Sequence, residues 1–111
     1  MMHEKIVDSL EKRLRAENRD CIISTEEDYD LPWVHGEIDL YMINPRTKVA
    51  KLYEVKSKDT IKNRDKALYQ LAKDSEFVIQ EYIKNIQLIK KYYVYSEENR
   101  IVIEHVGRYN K

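Results

Sequence analysis

The sequence is poor in the residues that staple or punctuate a chain. Its single cysteine, Cys21, excludes an internal disulfide and a zinc site built from cysteines. Two glycines, Gly36 and Gly107, and two prolines, Pro32 and Pro45, are the only strong breakers among 111 residues. So few breakers leave room for long regular elements and no linker between domains. No apolar run approaches the ~18 to 20 residues of a membrane-spanning helix. The opening Met1-Met2-His3-Glu4-Lys5 lacks the apolar stretch of a secretory signal. Net charge is absent too, with 20 basic residues against 20 acidic, which argues against a general nucleic-acid coat. The expectation is one domain over residues 1–111, soluble and cytoplasmic.

What is present is uneven along the chain. Residues 1–40 hold 5 basic and 11 acidic side chains, a net −6, and residues 41–73 hold 9 basic and 3 acidic, a net +6. Residues 74–111 balance at 6 of each. Ile6, Val7, Leu10 and Leu14 recur at helical spacing and predict a first helix from Met2 to Glu17. Cys21-Ile22-Ile23-Ser24 reads as a short strand, and the acidic stretch Glu26–Asp30 as a polar loop closed by Leu31-Pro32. Residues 36–43 and Val49–Lys56 read as a hairpin around the turn Asn44-Pro45-Arg46-Thr47. A long amphipathic helix is expected from Ile61 to Ile86, with Leu68, Leu71, Ala72, Val78, Ile79, Tyr82, Ile83 and Ile86 at three- and four-residue spacings. Lys91–Tyr95 and Ile101–Glu104 read as closing strands. The order is αβββαββ, and a mixed sheet flanked by helices is the economical packing, an α/β fold.

Chemistry concentrates in Gly36-Glu37-Ile38-Asp39-Leu40 and Tyr53-Glu54-Val55-Lys56. Residues two apart on a strand share a face, so Glu54 and Lys56 project together with Leu52 while Val55 points away. If the two strands pair, Asp39, Glu54 and Lys56 converge. Two carboxylates with carbonyls and water form an oxygen-rich set suited to Mg²⁺, which needs few protein ligands. Against a bland reading as a solvated surface pair, the flanking β-formers place these charges on a partly interior strand, where charge needs a reason.

An acidic residue on one strand and Glu-x-Lys on the next, inside αβββαβ, resembles the PD-(D/E)XK nuclease superfamily. Gly-Glu-Ile-Asp-Leu at 36–40 and Glu-Val-Lys-Ser at 54–57 look most like the small archaeal-type Holliday junction resolvases. Ile38 stands where the superfamily has its proline. The resemblance implies a restriction-endonuclease-like fold and a Mg²⁺-dependent endodeoxyribonuclease, with Mn²⁺ as substitute. It implies that Asp39 and Glu54 ligate the metal, with the Val55 carbonyl as a further ligand, and that Lys56 orients the attacking water. It also implies a glutamate from the first helix, Glu4 or else Glu11, and a glutamine from the second helix, Gln70. Branched DNA as substrate and a homodimer with two symmetric sites follow from the same resemblance. Repair, restriction and RNA-directed nucleases remain alternatives, as does an inactive nucleic-acid-binding or assembly module of the same fold.

Other residues are less specific. Lys51, Lys58, Lys62 and Arg64, in the basic third, can contact phosphates, which supply affinity without reading sequence; Lys66 and Lys73 read equally well as ordinary helix surface. Glu37 reads as a further carboxylate of the site or a solvated strand charge. His3, His35 and His105 show no metal-ligand spacing. Trp33 and Tyr29 could stack on an unpaired base, although packing against the domain's own edge explains them more simply. Tyr92, Tyr93 and Tyr95 put rings on both faces of one strand, as a covered or dimeric sheet would require.

Overall fold

A computed structural model describes residues 1–82 and 84–110. The chain forms α1 (His3–Glu17), β1 (Ile22–Asp30), β2 (His35–Asn44), β3 (Val49–Val55), α2 (Ile61–Glu81), β4 (Leu88–Glu97) and β5 (Arg100–Asn110). The five strands lie in the order β1-β2-β3-β4-β5, antiparallel except for the parallel pair β3/β4 that α2 connects. That crossover is what parallel neighbours require, since a tight turn cannot join them. The result is an α/β fold with a mixed sheet and a helix on each face.

Helix α1 presents the buried Ile6, Val7, Leu10 and Leu14 to Leu40, Met42, Tyr53, Val55 and Val94 on one side of the sheet. Its outer face is tied by i,i+4 ion pairs such as Lys12–Asp8 at 3.1 Å. Helix α2 begins at Thr60, whose hydroxyl accepts from the Asn63 N–H at 3.0 Å, satisfying one orphan donor of the first turn. It lays Leu71, Phe77 and Val78 over Tyr41, Ile43, Ala50, Leu52 and Ile89 on the other side. Both faces of β4 are therefore covered by this chain itself: Tyr92 stacks on Tyr53 at 5.0 Å, while Tyr93 lies buried beside Ala67 of α2.

Two expectations need correction. Glu26–Asp30 is not a loop; it continues β1, pairing Glu27, Asp28, Tyr29 and Asp30 with Ile38, Glu37, Gly36 and His35. As an edge strand it can carry acidic side chains on its solvent side, which also deters pairing with another sheet. Tyr29 points inward and is 6% exposed, whereas Glu26, Asp28 and Asp30 are exposed. Helix α2 ends at Glu81 rather than Ile86. The chain must turn back there to enter β4 parallel to β3, and the Gln87 N–H donates to the Lys48 carbonyl at 2.7 Å to begin that pairing. Ile86 is buried in the connection instead of the helix, and Ile83 lies outside the described residues. The last two strands run well beyond their apolar cores and close on Glu98 and Asn99, both left-handed (φ 49 and 64), as a two-residue hairpin turn demands.

One irregularity bears on chemistry. Ile38 packs in the core beneath α2, yet Leu40, two residues on, packs beneath α1. In a regular strand they would share a face. The facing position on β1 is Glu26, held in the left-handed region at φ 49 between the pairs Thr25–Leu40 and Glu27–Ile38. The strands change face at this point, and Asp39 sits at the changeover.

Candidate active site

The end of β3 supplies two site residues. Leu52 is fully buried, so Glu54 and Lys56, on the same side of the strand, rise from the core toward the carboxyl end of the parallel pair β3/β4. That end is where open α/β sheets usually bind ligands. Asp39 and Glu54 follow one position beyond the last paired residues of the hairpin, Leu40 and Tyr53. One Asp39 carboxylate oxygen accepts from the Val55 backbone N–H at 2.8 Å, and the other lies 3.3 Å from His3 Nε2. The Lys56 ammonium is 3.5 Å from Glu54 Oε2. The structure thus brings Asp39, Glu54 and Lys56 together around the Val55 peptide.

Glu54 is 5% exposed, and its Oε1 has no hydrogen-bond partner among the described residues. Burial, reinforced by the charges of Asp39 and Asp74, pushes its carboxyl up to about 9, with the Lys56 ammonium opposing. Glu54 therefore holds its proton more tightly than a free carboxyl does, and the Lys56 ammonium is the neighbouring charge that favours its ionised form. A carboxyl raised by burial and by neighbouring carboxylates ionises more readily beside a positive charge.

A third carboxyl, Asp74 of α2, completes the cluster. It is wholly buried; Oδ1 accepts from the Tyr29 hydroxyl and from Gln70 Nε2, both at 2.9 Å, while Oδ2 has no partner among the described residues. Burial raises it to about 7 against the lowering effect of Tyr29 and Gln70. Sequence reasoning passed over Asp74, although a signal was there: it sits three residues after Leu71 and four before Val78, on the buried stripe of α2. His3 had no such signal, because only the docking of α1 brings it to Asp39.

The remaining sequence-predicted residues are distributed as follows. Gln70 does approach the site, donating to the Glu37 carbonyl at 3.1 Å as well as to Asp74, so it latches β2 to α2. Gly36 makes room for this latch: a Cβ there would lie 2.8 Å from both Gln70 Nε2 and the Tyr29 hydroxyl. Glu4 is exposed in a groove with Lys5, Asp8, Glu11, Thr25 and Glu26, and makes no hydrogen bond or ion pair with Asp39 or Glu54. Glu11 is occupied by Arg15 at 2.9 Å. Glu37 is exposed on its strand. Lys51 faces away from Glu54, sharing the α1 side with Tyr53 and Val55. Arg64 is held by Glu104 at 2.8 Å and Asp59 at 3.0 Å over the Tyr93 ring, which fastens the start of α2 to the sheet. Lys58 and Lys62 are exposed at the entry to α2.

Among the described residues, no three His, Cys, Asp or Glu side chains are arranged as a ready metal-binding group. The Asp39–Glu54 pair still suits a hard cation. Its Glu54 Oε1, without a hydrogen-bond partner among the described residues, is a free oxygen ligand that a cation would help to ionise, and Mg²⁺ takes one or two carboxylates with water filling the other positions. No helix among the described residues is long and apolar enough to cross a membrane. No protein-family model, curated protein or solved structure matches this chain.

Proposed function

We propose that the chain is a metal-dependent endonuclease of restriction-endonuclease-like fold, hydrolysing phosphodiester bonds in DNA. The observation that carries this reading is the buried pair Asp39 and Glu54, with an unpartnered oxygen on Glu54 and the Lys56 ammonium 3.5 Å from its other oxygen. The order α1-β1-β2-β3-α2-β4, with β3 and β4 parallel, is compatible with an αβββαβ core.

In this reading Asp39 and Glu54 would hold Mg²⁺ or Mn²⁺, with the Val55 carbonyl as a further ligand. Such an ion supplies Lewis acidity toward the phosphate and eases deprotonation of water. The protein's own residues do the rest. A cation held there would favour the ionised form of Glu54, which burial and the neighbouring carboxylates otherwise disfavour, the proton passing to solvent. The Val55 N–H and His3 fix both oxygens of Asp39 and so hold its orientation. Lys56 orients the water that attacks phosphorus and neutralises charge on the phosphate oxygens, leaving a 5′-phosphate and a 3′-hydroxyl. Lys58 and Lys62 contact flanking phosphates. Branched DNA is the favoured substrate and a homodimer the working form, both resting on the resemblance of the two motifs to junction resolvases.

The test is cleavage of a panel of junction, duplex and single-stranded DNA and of RNA, with Mg²⁺ or Mn²⁺ and with EDTA. Cleavage that needs the ion and falls about 10²- to 10³-fold or more in Asp39→Asn and Lys56→Ala is expected. Equal cutting of every DNA would remove the junction preference. No ion-dependent cleavage of any substrate would refute the enzyme reading and leave a binding module.

A further inference from the structure

Trp33 and Tyr69 are left uncovered, 62% and 68% exposed, and they line one groove with His35, Lys73 and Glu76. Of the two aromatics before β2, Tyr29 is committed to the core and to Asp74, while Trp33 stays largely open to solvent among the described residues. Leaving two large aromatics in water forgoes the burial that usually stabilises them. Trp33 is also held in a defined place. It sits with Pro32 at the tip of the β1/β2 connection, where Leu31 and Val34 exchange backbone hydrogen bonds at 2.7 and 3.3 Å.

The helix opposite matches this with charge. Lys62, Lys66, Tyr69 and Lys73 are spaced four, three and four residues apart, which aligns them as one stripe along α2. The Lys73 ammonium donates to the His35 carbonyl at 3.3 Å and lies 5.3 Å from the Tyr69 ring centre, steadying that ring while keeping its cation at the groove. Among the described residues Glu76 is the one acidic side chain lining it. Aromatic faces alternating with lysines are the chemistry that binds a single strand of nucleic acid, with bases on rings and phosphates on cations. From His35 at the groove to Asp39 is four strand residues, about 13 Å. At the ~3.4 Å per nucleotide of a stacked strand this is about four nucleotides, and fewer if the strand is extended.

We infer that the groove between the Pro32-Trp33 turn and α2 is a binding site for unpaired nucleotides, with a base stacked against Trp33 and Tyr69 and the flanking phosphates on Lys73, Lys66 and Lys62. The inference rests on the nuclease reading in taking nucleic acid as the ligand class, and it names the part of the substrate held beside the cutting site: a single-stranded segment.

Trp33 is the only tryptophan, so its fluorescence reports on the groove alone. The full chain is titrated in EDTA with a 12-nucleotide thymidylate oligomer and with a 12-base-pair duplex, and affinities of variants are read from the anisotropy of the labelled oligomer. Expected is quenching by the single strand well beyond that by the duplex, and a Kd weakened about 5- to 150-fold in Trp33→Ala and in Tyr69→Ala. Replacing Lys62, Lys66 and Lys73 together by Gln should lower the salt slope by about 2. Equal quenching by duplex, or variants that bind as the wild type does, would overturn the inference. So would loss of a dimer in Trp33→Ala by sedimentation, which would make the groove an interface between copies. Because cleavage plays no part in this assay, quenching without activity upholds the groove while the enzyme reading fails, and activity without quenching does the reverse.

Discussion

Replacing Glu54 by glutamine should change how stability depends on pH more than it changes stability at any one pH. A carboxyl whose pKa is higher folded than unfolded binds more protons in the folded state, so stability falls as pH rises between the two values. For Glu54 that window runs from its ordinary 4.5 up to about 9. Since the side chain is 5% exposed, solvent does little to screen the effect. At about 1.4 kcal/mol per pH unit, the contribution lost between pH 5 and pH 8 is about 4 kcal/mol, a large share of the ~5 to 15 kcal/mol that holds a domain folded. Glutamine keeps the shape and remains neutral at every pH. Urea unfolding in EDTA at pH 5, 6.5 and 8 should therefore show Glu54→Gln pulling ahead of the wild type by about 4 kcal/mol across the range. A gap that stays constant with pH would refute the reasoning. With Mg²⁺ present the wild type should recover at pH 8, by about 2.7 kcal/mol at a hundredfold excess over Kd, and the variant should not.

Two further substitutions probe the supports of the site. Gly36→Ala should destabilise by about 1 to 3 kcal/mol in urea unfolding, because the new methyl group meets Gln70 and Tyr29 at 2.8 Å; an unchanged midpoint would mean the latch yields freely. Tyr29→Phe removes a donor to Asp74 and should raise that carboxyl above its value of about 7, while destabilising the fold by about 1 to 3 kcal/mol. Carbon-13 NMR titration of the Asp74 carboxyl checks the direction, and a fall in its pKa would contradict the assignment.

The sequence by itself determined what depends on local periodicity. The spacing of Ile6, Val7, Leu10 and Leu14 specifies which face of α1 is buried, the Asn44–Thr47 turn sets the β2/β3 hairpin, and alternation along β3 puts Glu54 and Lys56 on one side. Those three suffice to foresee that Asp39, Glu54 and Lys56 meet. Tertiary structure alone decided what depends on a partner distant in the chain. Glu26–Asp30 is a strand because β2 offers it backbone hydrogen bonds, which outweigh a composition that favours a loop. Helix α2 stops at Glu81 because the chain must enter the sheet beside β3, not because its apolar spacing lapses. Asp74 and His3 join the site, and Glu4, Lys51 and Arg64 stay out of it, through the docking of helices against the sheet and the sidedness of β3. Trp33 is exposed because no described residue reaches over the turn that carries it. A chain with one cysteine and four breakers leaves its elements long and legible; where their ends meet, and so which charges are buried together, is a property of packing.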